Sequence, residues 1–455
     1  MRTPSDKTML VSESNGVQLP PPAYFLSLSV ENLRCFGERQ TLDLSNGNDC
    51  PRQWTILLGD NGVGKTTLLQ CLTMLQPSEY RAEMKFDLPP IPNETLSPDS
   101  HLADLVHGRS KNANFRIGGD IFANAKLTSQ ENGIRIDRGL NRDRSGLQYH
   151  KTARKFLSSI ICYGYGASRR MGTTSLSETQ NMDTSASLFD DNAPLINAEE
   201  WLLQADYAAQ RLEGTEQKEA EKRRDRIKEV LKTLLPDVSD LRFAPSPRIP
   251  MQTTVHARTP YGWVPIRDMS LGYRTLMAWM VDFASRLFER YPDSPDPLAE
   301  PAIALVDEID LHLHPRWQRI LMQFLSNIFP NTQFIASAHS PLVVQAATDA
   351  NVVLLRRESD HVVIDNDVQA IKGWRIDQVL TSDLFNLESA RPPQLDEALK
   401  ERTRLLSKAR LTARDRARLR KLEAQIGSLP TGETPQDIEA MDIIRRAADL
   451  LKKQE

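Results

Sequence analysis

The segment Gly59-Asp60-Asn61-Gly62-Val63-Gly64-Lys65-Thr66 constrains this chain more than any other stretch of it. It stands between an apolar run, Trp54 to Leu58, and a segment with apolar residues at helical spacing, Leu68, Leu69, Leu72 and Leu75. Strand, glycine loop and helix in that order put free backbone N–H groups at a helix N-terminus, where they can wrap an anion. Glycines let the backbone close around phosphate oxygens, Lys65 adds positive charge near the terminal phosphates, and the Thr66 hydroxyl can ligate Mg²⁺. Thr67 reads as an ordinary helix residue by spacing, and as the next position of the loop it stays among the candidate nucleotide-binding residues.

The rest of the chain has to supply a fold for that loop. Ala302 to Val306 and Gln333 to Ser337 are short apolar runs separated by a helix expected from Arg316 to Phe329, the alternation that gives a parallel sheet with crossover helices and an α/β fold. Partial alternation from Phe25 to Arg34 and from Gln40 to Leu44, around Cys35-Phe36-Gly37, predicts a strand pair. Residues 77–157 read as a β-rich insertion, with short strands from Arg116 to Asp137 and turns at Gly118-Gly119 and Asn132-Gly133. Together these give a β-rich N-terminal lobe.

A second insertion, 171–235, combines a Ser/Thr/Asp/Asn-rich loop from Met171 to Asn197, expected to be mobile, with a charged helix from Glu199 to Leu235. Even fully helical, that helix would reach only roughly 50 Å, too short for a chromosome-organising coiled-coil arm. Strands are expected at Met251 to Ala257 and Gly262 to Ile266, and a long helix from Leu271 to about Arg290. The domain plan is a flexible tail, 1–22, a nucleotide-binding head, 23–372, and a C-terminal helical region, 373–455. In the last, a charged hairpin from Leu395 to Ile426 carries an apolar seam of Leu395, Leu399, Leu406, Leu419, Leu422 and Ile426 suited to a partner or a second copy. Thr434-Pro435 starts a final helix.

Three further segments carry chemistry. The run ending in Asp307-Glu308 delivers two carboxylates to a strand's C-terminal edge, where Asp307 can hold Mg²⁺ through water and Glu308 can activate an attacking water. Met269-Ser270-Leu271-Gly272 opens a helix, whose free N–H groups can receive an anion, although a serine so placed is also an ordinary helix cap. Ala338-His339-Ser340-Pro341 sets an imidazole at another strand end. His312 and His314, in a turn with no cysteine nearby, suit structural roles better than zinc.

Taken together, Asn32-Leu33-Arg34-Cys35-Phe36, the phosphate loop, Ser270-Leu271-Gly272, Asp307-Glu308 and His339 resemble the ABC-type ATPase heads of RecF-like, Rad50-like and OLD-like proteins. The resemblance implies a P-loop NTPase fold, ATP and Mg²⁺ as ligands, Lys65, Glu308 and His339 as catalytic residues, and Arg34 near the nucleotide. It also implies that Ser270 and Gly272 of one head complete the phosphate site of another, so that ATP bridges a homo-oligomer. Where those heads carry a glutamine that completes the metal shell, Tyr163-Gly164-Tyr165-Gly166-Ala167-Ser168-Arg169 has none, and Arg169 or Arg170 either senses phosphate or faces water. Gly373-Trp374-Arg375-Ile376-Asp377-Gln378-Val379-Leu380 with Ser382-Asp383-Leu384-Phe385 looks like the end of the ATPases of Septu-type anti-phage modules, whose companion is an HNH nuclease. That resemblance implies an ATPase that regulates or scaffolds a nuclease, with DNA engaged by the complex. The alternative is a RecF- or Rad50-like repair ATPase that binds DNA itself.

Composition removes other classes. At 455 residues with 40% hydrophobic and 26% charged residues, the chain has globular proportions, and a formal net charge of −3 excludes a globally basic nucleic-acid coat. Cys35, Cys50, Cys71 and Cys162 are dispersed, without metal-ligand spacing, which predicts reduced thiols. With no long apolar run, the expected setting is the cytoplasm and not a membrane.

Overall fold

The computed structural model describes residues 23–47, 50–75, 115–123, 133–141, 144–149, 160–169, 183–234, 238–245, 253–368, 373–385, 387, 390, 393–408 and 412–426. The expected tail, 1–22, the stretch from Pro77 to His101, the first part of the Met171 loop, Arg170 and the helix from Thr434 lie outside them. The chain divides into two compact units, Met1–Val379 and Leu380–Glu455.

In the first unit, β1 (Ala23–Glu31) and β2 (Gln40–Asp43) pair antiparallel, with Leu28 opposite Leu42. The next strand, β3 (Trp54–Leu58), is buried at every residue, as a strand covered on both faces must be, and leads through the glycine loop into α1 (Lys65–Met74). Three insertion strands, β4 (Phe115–Ala123), β5 (Gly133–Asn141) and β6 (Arg144–Tyr149), extend the first pair into an antiparallel sheet ordered β2-β1-β4-β5-β6. The turn expected at Gly118-Gly119 is absent. Both glycines are paired on two sides, Gly119 with Leu28 and with Ile136, and hydrogen bonds to both neighbours hold the strand straight through them.

After β7 (Cys162–Tyr165), the segment expected to be mobile proves packed over residues 183–197, with Ser185, Ser187, Leu188, Leu195 and Ile196 buried. The sparse leucines and isoleucine, masked in the sequence by polar neighbours, are its anchors. The single long helix expected from Glu199 is a hairpin of α2 (Ala198–Arg211) and α3 (Gly214–Leu234). Leu212 leaves the helix in an extended conformation and Gly214 turns at φ 66°, so the longer arm reaches only roughly 30 Å. Asn197 caps α2 by accepting from the Glu200 N–H, and Arg224 pairs with Asp206 across the hairpin at 3.2 Å.

The hairpin and a small antiparallel sheet, β8 (Asp240–Pro245), β9 (Thr253–Thr259) and β10 (Gly262–Pro265), share a core with α4 (Leu271–Arg290) through Trp201, Ile227, Leu241, Val255, Met277 and Val281. The remaining strands are β11 (Ala302–Val306), β12 (Thr332–Ser337), β13 (Asn351–Glu358) and β14 (His361–Asp365). They complete a sheet ordered β14-β13-β3-β12-β11-β7, parallel except for β14. The helix expected between β11 and β12 is two pieces, α5 (Pro315–Gln318) and α6 (Leu321–Ile328). The strand ends, where ligands of such sheets sit, therefore bring β3, β7, β11 and β12 to one edge. An aromatic layer of Tyr163, Tyr165, Phe283, Phe329 and Phe334 fastens α4 to this sheet, and the short α7 (Pro341–Ala346) follows β12.

The short α8 (Ile376–Leu380) falls at the boundary in sequence; in the second unit α9 (Pro393–Leu406) and α10 (Ala413–Ile426) form the expected hairpin. Its seam is Ala398, Leu405 and Leu422, with Leu419 and Ile426 against it. Leu406, expected in that seam, is 48% exposed because its neighbour Leu405 takes the inward position.

Candidate functional site

The glycine loop closes through three left-handed glycines, Gly59, Gly62 and Gly64, at φ 137°, 81° and 91°. No acidic residue lies in the first turn of α1, so nothing there cancels the positive end of the helix. The Lys65 ammonium curls over its own loop, donating to Gly59 O at 2.7 Å and Asp60 O at 2.9 Å. Burial pulls its pKa below the usual lysine value, opposed by the carboxylates of Asp307, Glu308, Asp60 and Asp310. The Leu33–Phe36 turn presses on this loop: a Cβ at Gly64 would lie 2.6 Å from Cys35 Sγ and 2.9 Å from the Phe36 ring. Gly64→Ala is therefore expected to cost about 1–3 kcal/mol of stability, read as a lower denaturation midpoint. An unchanged midpoint would mean that the turn does not bear on the loop.

Thr66 Oγ1 donates to Asp307 Oδ2 at 2.7 Å, joining loop and acidic pair. Asp307 Oδ1 accepts from Ser337 Oγ at 2.5 Å, and the same hydroxyl accepts from the Glu308 N–H at 2.7 Å. Glu308 itself stands at φ 46°, a left-handed conformation that costs a side-chain-bearing residue about 1–3 kcal/mol. Its carbonyl accepts from Arg169 Nη2 at 2.6 Å and from the Leu311 N–H at 3.0 Å. Asp310 uses both carboxylate oxygens to accept from the His339 N–H, each at 3.2 Å, and so sets the position of that residue.

Arg34, also left-handed at φ 45°, donates from Nη1 to Thr67 Oγ1 at 3.1 Å and to Gln70 Oε1 at 3.0 Å. Thr67 is thus not the ordinary helix residue its spacing indicates. A cavity of about 270 Å³ is bounded by the glycine loop with Lys65, Thr66 and Thr67, by Arg34 and Cys35, and by Asp307, Glu308 and His339. Of the expected loop residues Gly59, Asp60 and Val63 lie outside this lining, Asp60 exposed and Val63 buried.

Ser270 and Gly272 do not border the cavity. Ser270 occupies the N-cap position of α4, yet its side chain makes no cap hydrogen bond and it is exposed, so the ordinary reading of such a serine does not account for it. Gly272 is pressed against the chain just beyond the acidic pair, with room for no Cβ: one would sit 2.5 Å from His312 O. His314 caps α5, its Nδ1 accepting from the Arg316 N–H at 3.2 Å. Among the described residues no three His, Cys, Asp or Glu side chains are gathered so as to hold a metal ion. The Thr66 hydroxyl and Asp307 carboxylate are instead a pair of hard oxygen donors at hydrogen-bonding distance, a set that suits Mg²⁺ with most of its water shell retained.

Sequence reasoning did not single out Ser337 or Gln70, and left Arg169 undecided. A serine closing the apolar run Phe334-Ile335-Ala336 was the available signal for Ser337. Arg169 does not face water: it is 3% exposed, and burial draws its guanidinium pKa down to about 10, opposed by the charges of Asp307, Asp310 and Glu308.

A family model described as "AAA domain, putative AbiEii toxin, Type IV TA system" matches residues 55–345. The chain is 26% identical over 387 residues to the Septu protein PtuA of Bacillus mycoides (strain KBAB4), covering 84% of this chain and 47% of that one. It is 38% identical over 129 residues to the "Retron Vc95 probable ATPase" of Vibrio cholerae serotype O1 biovar El Tor, 28% of this chain and 24% of that protein. The chain thus spans about half the length, or less, of these curated relatives. Among solved structures, an SMC head bound to the C-winged helix domain of ScpA aligns with a TM-score of 0.44 and 16% identity, over 75% of this chain and 96% of the other. No helix among the described residues is long and apolar enough to cross a membrane.

Proposed function

The chain belongs to the AAA-domain family whose model covers residues 55–345, the glycine loop and the acidic pair among them, with the α/β fold of an ABC-type ATPase head, and we propose that it hydrolyses ATP at sites completed between two such heads. The further proposal is that this cycle regulates or scaffolds a partner HNH nuclease in cytoplasmic anti-phage defence, with DNA engaged at the level of the complex. The observation that carries the ATPase reading is the 2.7 Å contact of Thr66 with Asp307 on a cavity shared with Lys65 and Glu308.

In that reading Lys65 exchanges the loop carbonyls of Gly59 and Asp60 for the terminal phosphates, while loop N–H groups cradle the chain of phosphates. Thr66 and Asp307 would hold Mg²⁺, which neutralises charge on the phosphate oxygens. Glu308 orients and deprotonates the attacking water, and His339, held by Asp310, meets the γ-phosphate. The exposed, uncapped Ser270 hydroxyl and the N-terminus of α4 are suited to reach the phosphates of a second head. The relatives named as a Septu protein and a retron ATPase support the defence setting.

Lys65→Ala is expected to lower ATP turnover by about 10²-fold, since it removes a charge aimed at the transferring phosphoryl group. Turnover of the purified variant with Mg²⁺ at the level of the wild type would refute the ATPase reading. For the partner, the chain is purified after co-expression with its genomic neighbours, with and without ATP, and captured chains are identified by mass. Stable capture of an HNH nuclease supports the defence reading. Recovery of an ATP-dependent homodimer that binds DNA alone supports a RecF- or Rad50-like repair ATPase instead.

A further inference from the structure

Arg169 lies beneath the acidic pair and does not border the nucleotide cavity. Its Nη2 donates to the backbone carbonyl of Glu308, whereas Nε and Nη1 are buried with no hydrogen-bond partner among the described residues. A buried guanidinium with two unpaired N–H edges is unfavourable for folding, so stability alone gives no reason for an arginine here.

The surroundings deliver this side chain with little freedom. Strand β7 ends alongside β11, with the Asp307 N–H bonded to Tyr165 O at 2.8 Å. Gly166 then turns hard against the packed segment before α2: its N–H donates to Ser187 Oγ at 3.2 Å, and a Cβ there would collide with Ser187 O. The same segment is tied to α1, where the Gln70 amide donates to Leu188 O at 2.6 Å. At the far end of that path Glu308 holds its left-handed backbone, its N–H fixed by Ser337 and its carbonyl by Arg169.

We propose that Arg169 is a positioning residue for hydrolysis, holding the Glu308 peptide in its left-handed conformation so that the carboxylate faces the attacking water. The proposal rests on the reading of the cavity as an ATP-hydrolysing site. Arg169 does not line the cavity; it acts through Glu308, and the carboxylates of Asp307, Asp310 and Glu308 lie close enough to act on its charge. Loss of the guanidinium fork lets the Glu308 peptide relax, which displaces the base without emptying the site.

The test uses the full chain as wild type, R169K, R169A, E308Q and the double variant R169A/E308Q. Readouts are kcat and KM for ATP, affinity for a fluorescent ATP analogue, and melting temperature. A misplacement of about 1 Å at a base costs up to about 100-fold, so kcat is expected to fall about 100-fold in R169A and about 10-fold in R169K. Analogue affinity is expected to stay within about threefold, because the loop and Lys65 are untouched. The decisive comparison is the double variant, which is expected to be no slower than E308Q alone, as for two residues acting as one unit. R169K folding normally with wild-type kcat would overturn the proposal, as would a double variant whose losses multiply or a fall in kcat matched by loss of analogue affinity. If R169A does not fold, R169K decides. E308Q turning over at the wild-type rate would instead overturn the ATPase reading itself.

Discussion

Glu308→Gln is expected to lower ATP turnover by about 10²–10⁴-fold, the range associated with losing a positioned general base. The amide is nearly isosteric with the carboxylate, and the backbone supports from Ser337, Arg169 and Leu311 use main-chain atoms of Glu308, so the substitution leaves them in place. Phosphate binding, which falls to the loop and Lys65, should survive. ATP should then bind and stay, and since in the proposed cycle binding favours the closed pair of heads, the variant is expected to accumulate as an ATP-dependent dimer. Light scattering after gel filtration with ATP and Mg²⁺ reads that accumulation. A variant that remains monomeric with ATP and hydrolyses it at the wild-type rate would remove Glu308 from the role of base.

The largest stability effect is expected at Phe283 in α4. Its ring is fully buried and meets Tyr163 at 5.3 Å, Phe329 at 4.8 Å, Tyr165 at 6.3 Å and Phe334 at 6.4 Å between centroids, so it joins α4 to β7, to β12 and to the end of α6. Phe283→Ala removes the centre of that layer, and the surrounding rings are held by the sheet and cannot collapse into the gap. The cost is about 3–5 kcal/mol, measured as a shift in the urea midpoint followed by Trp279 fluorescence beside the cavity. A loss under about 1 kcal/mol would mean that the layer repacks freely. The neighbouring Asp282 makes the site harder to adjust, since it is buried and engaged by Tyr165, Arg286 and the Ile196 N–H.

What the sequence made legible was local. The glycine loop, its flanking strand and helix, and the acidic pair each depend on residues within a span of about ten positions, where spacing and residue type carry the physics. The left-handed glycines and the burial of every residue in β3 and β11 follow from those spans. What escaped notice depends on distant pairs. Ser337 reaches Asp307 across 30 positions and Arg169 reaches Glu308 across 139, and no periodicity records such meetings. The errors have the same origin. Gly118-Gly119 reads as a turn until both neighbouring strands claim it, and the charged helix from Glu199 reads as continuous until the left-handed Gly214 folds it back. Packing of the segment at 183–197 was hidden because three apolar anchors sit among polar residues, and an anchor is recognised only by the surface it meets.

The proposed composite site is the central claim, and mixing two inactive variants addresses it most directly. Lys65→Ala spoils the phosphate loop of a head, and Ser270→Arg spoils the surface it offers to the other. In a mixed dimer, one site then pairs an intact Lys65 with an intact Ser270 from the opposite head. For random pairing of equal amounts, ATP turnover is expected to recover to about a quarter of the wild-type level, as a two-fold symmetric pair of sites requires. A mixture no more active than either variant alone, at concentrations where wild type turns over, would contradict an active site shared between two copies of this chain.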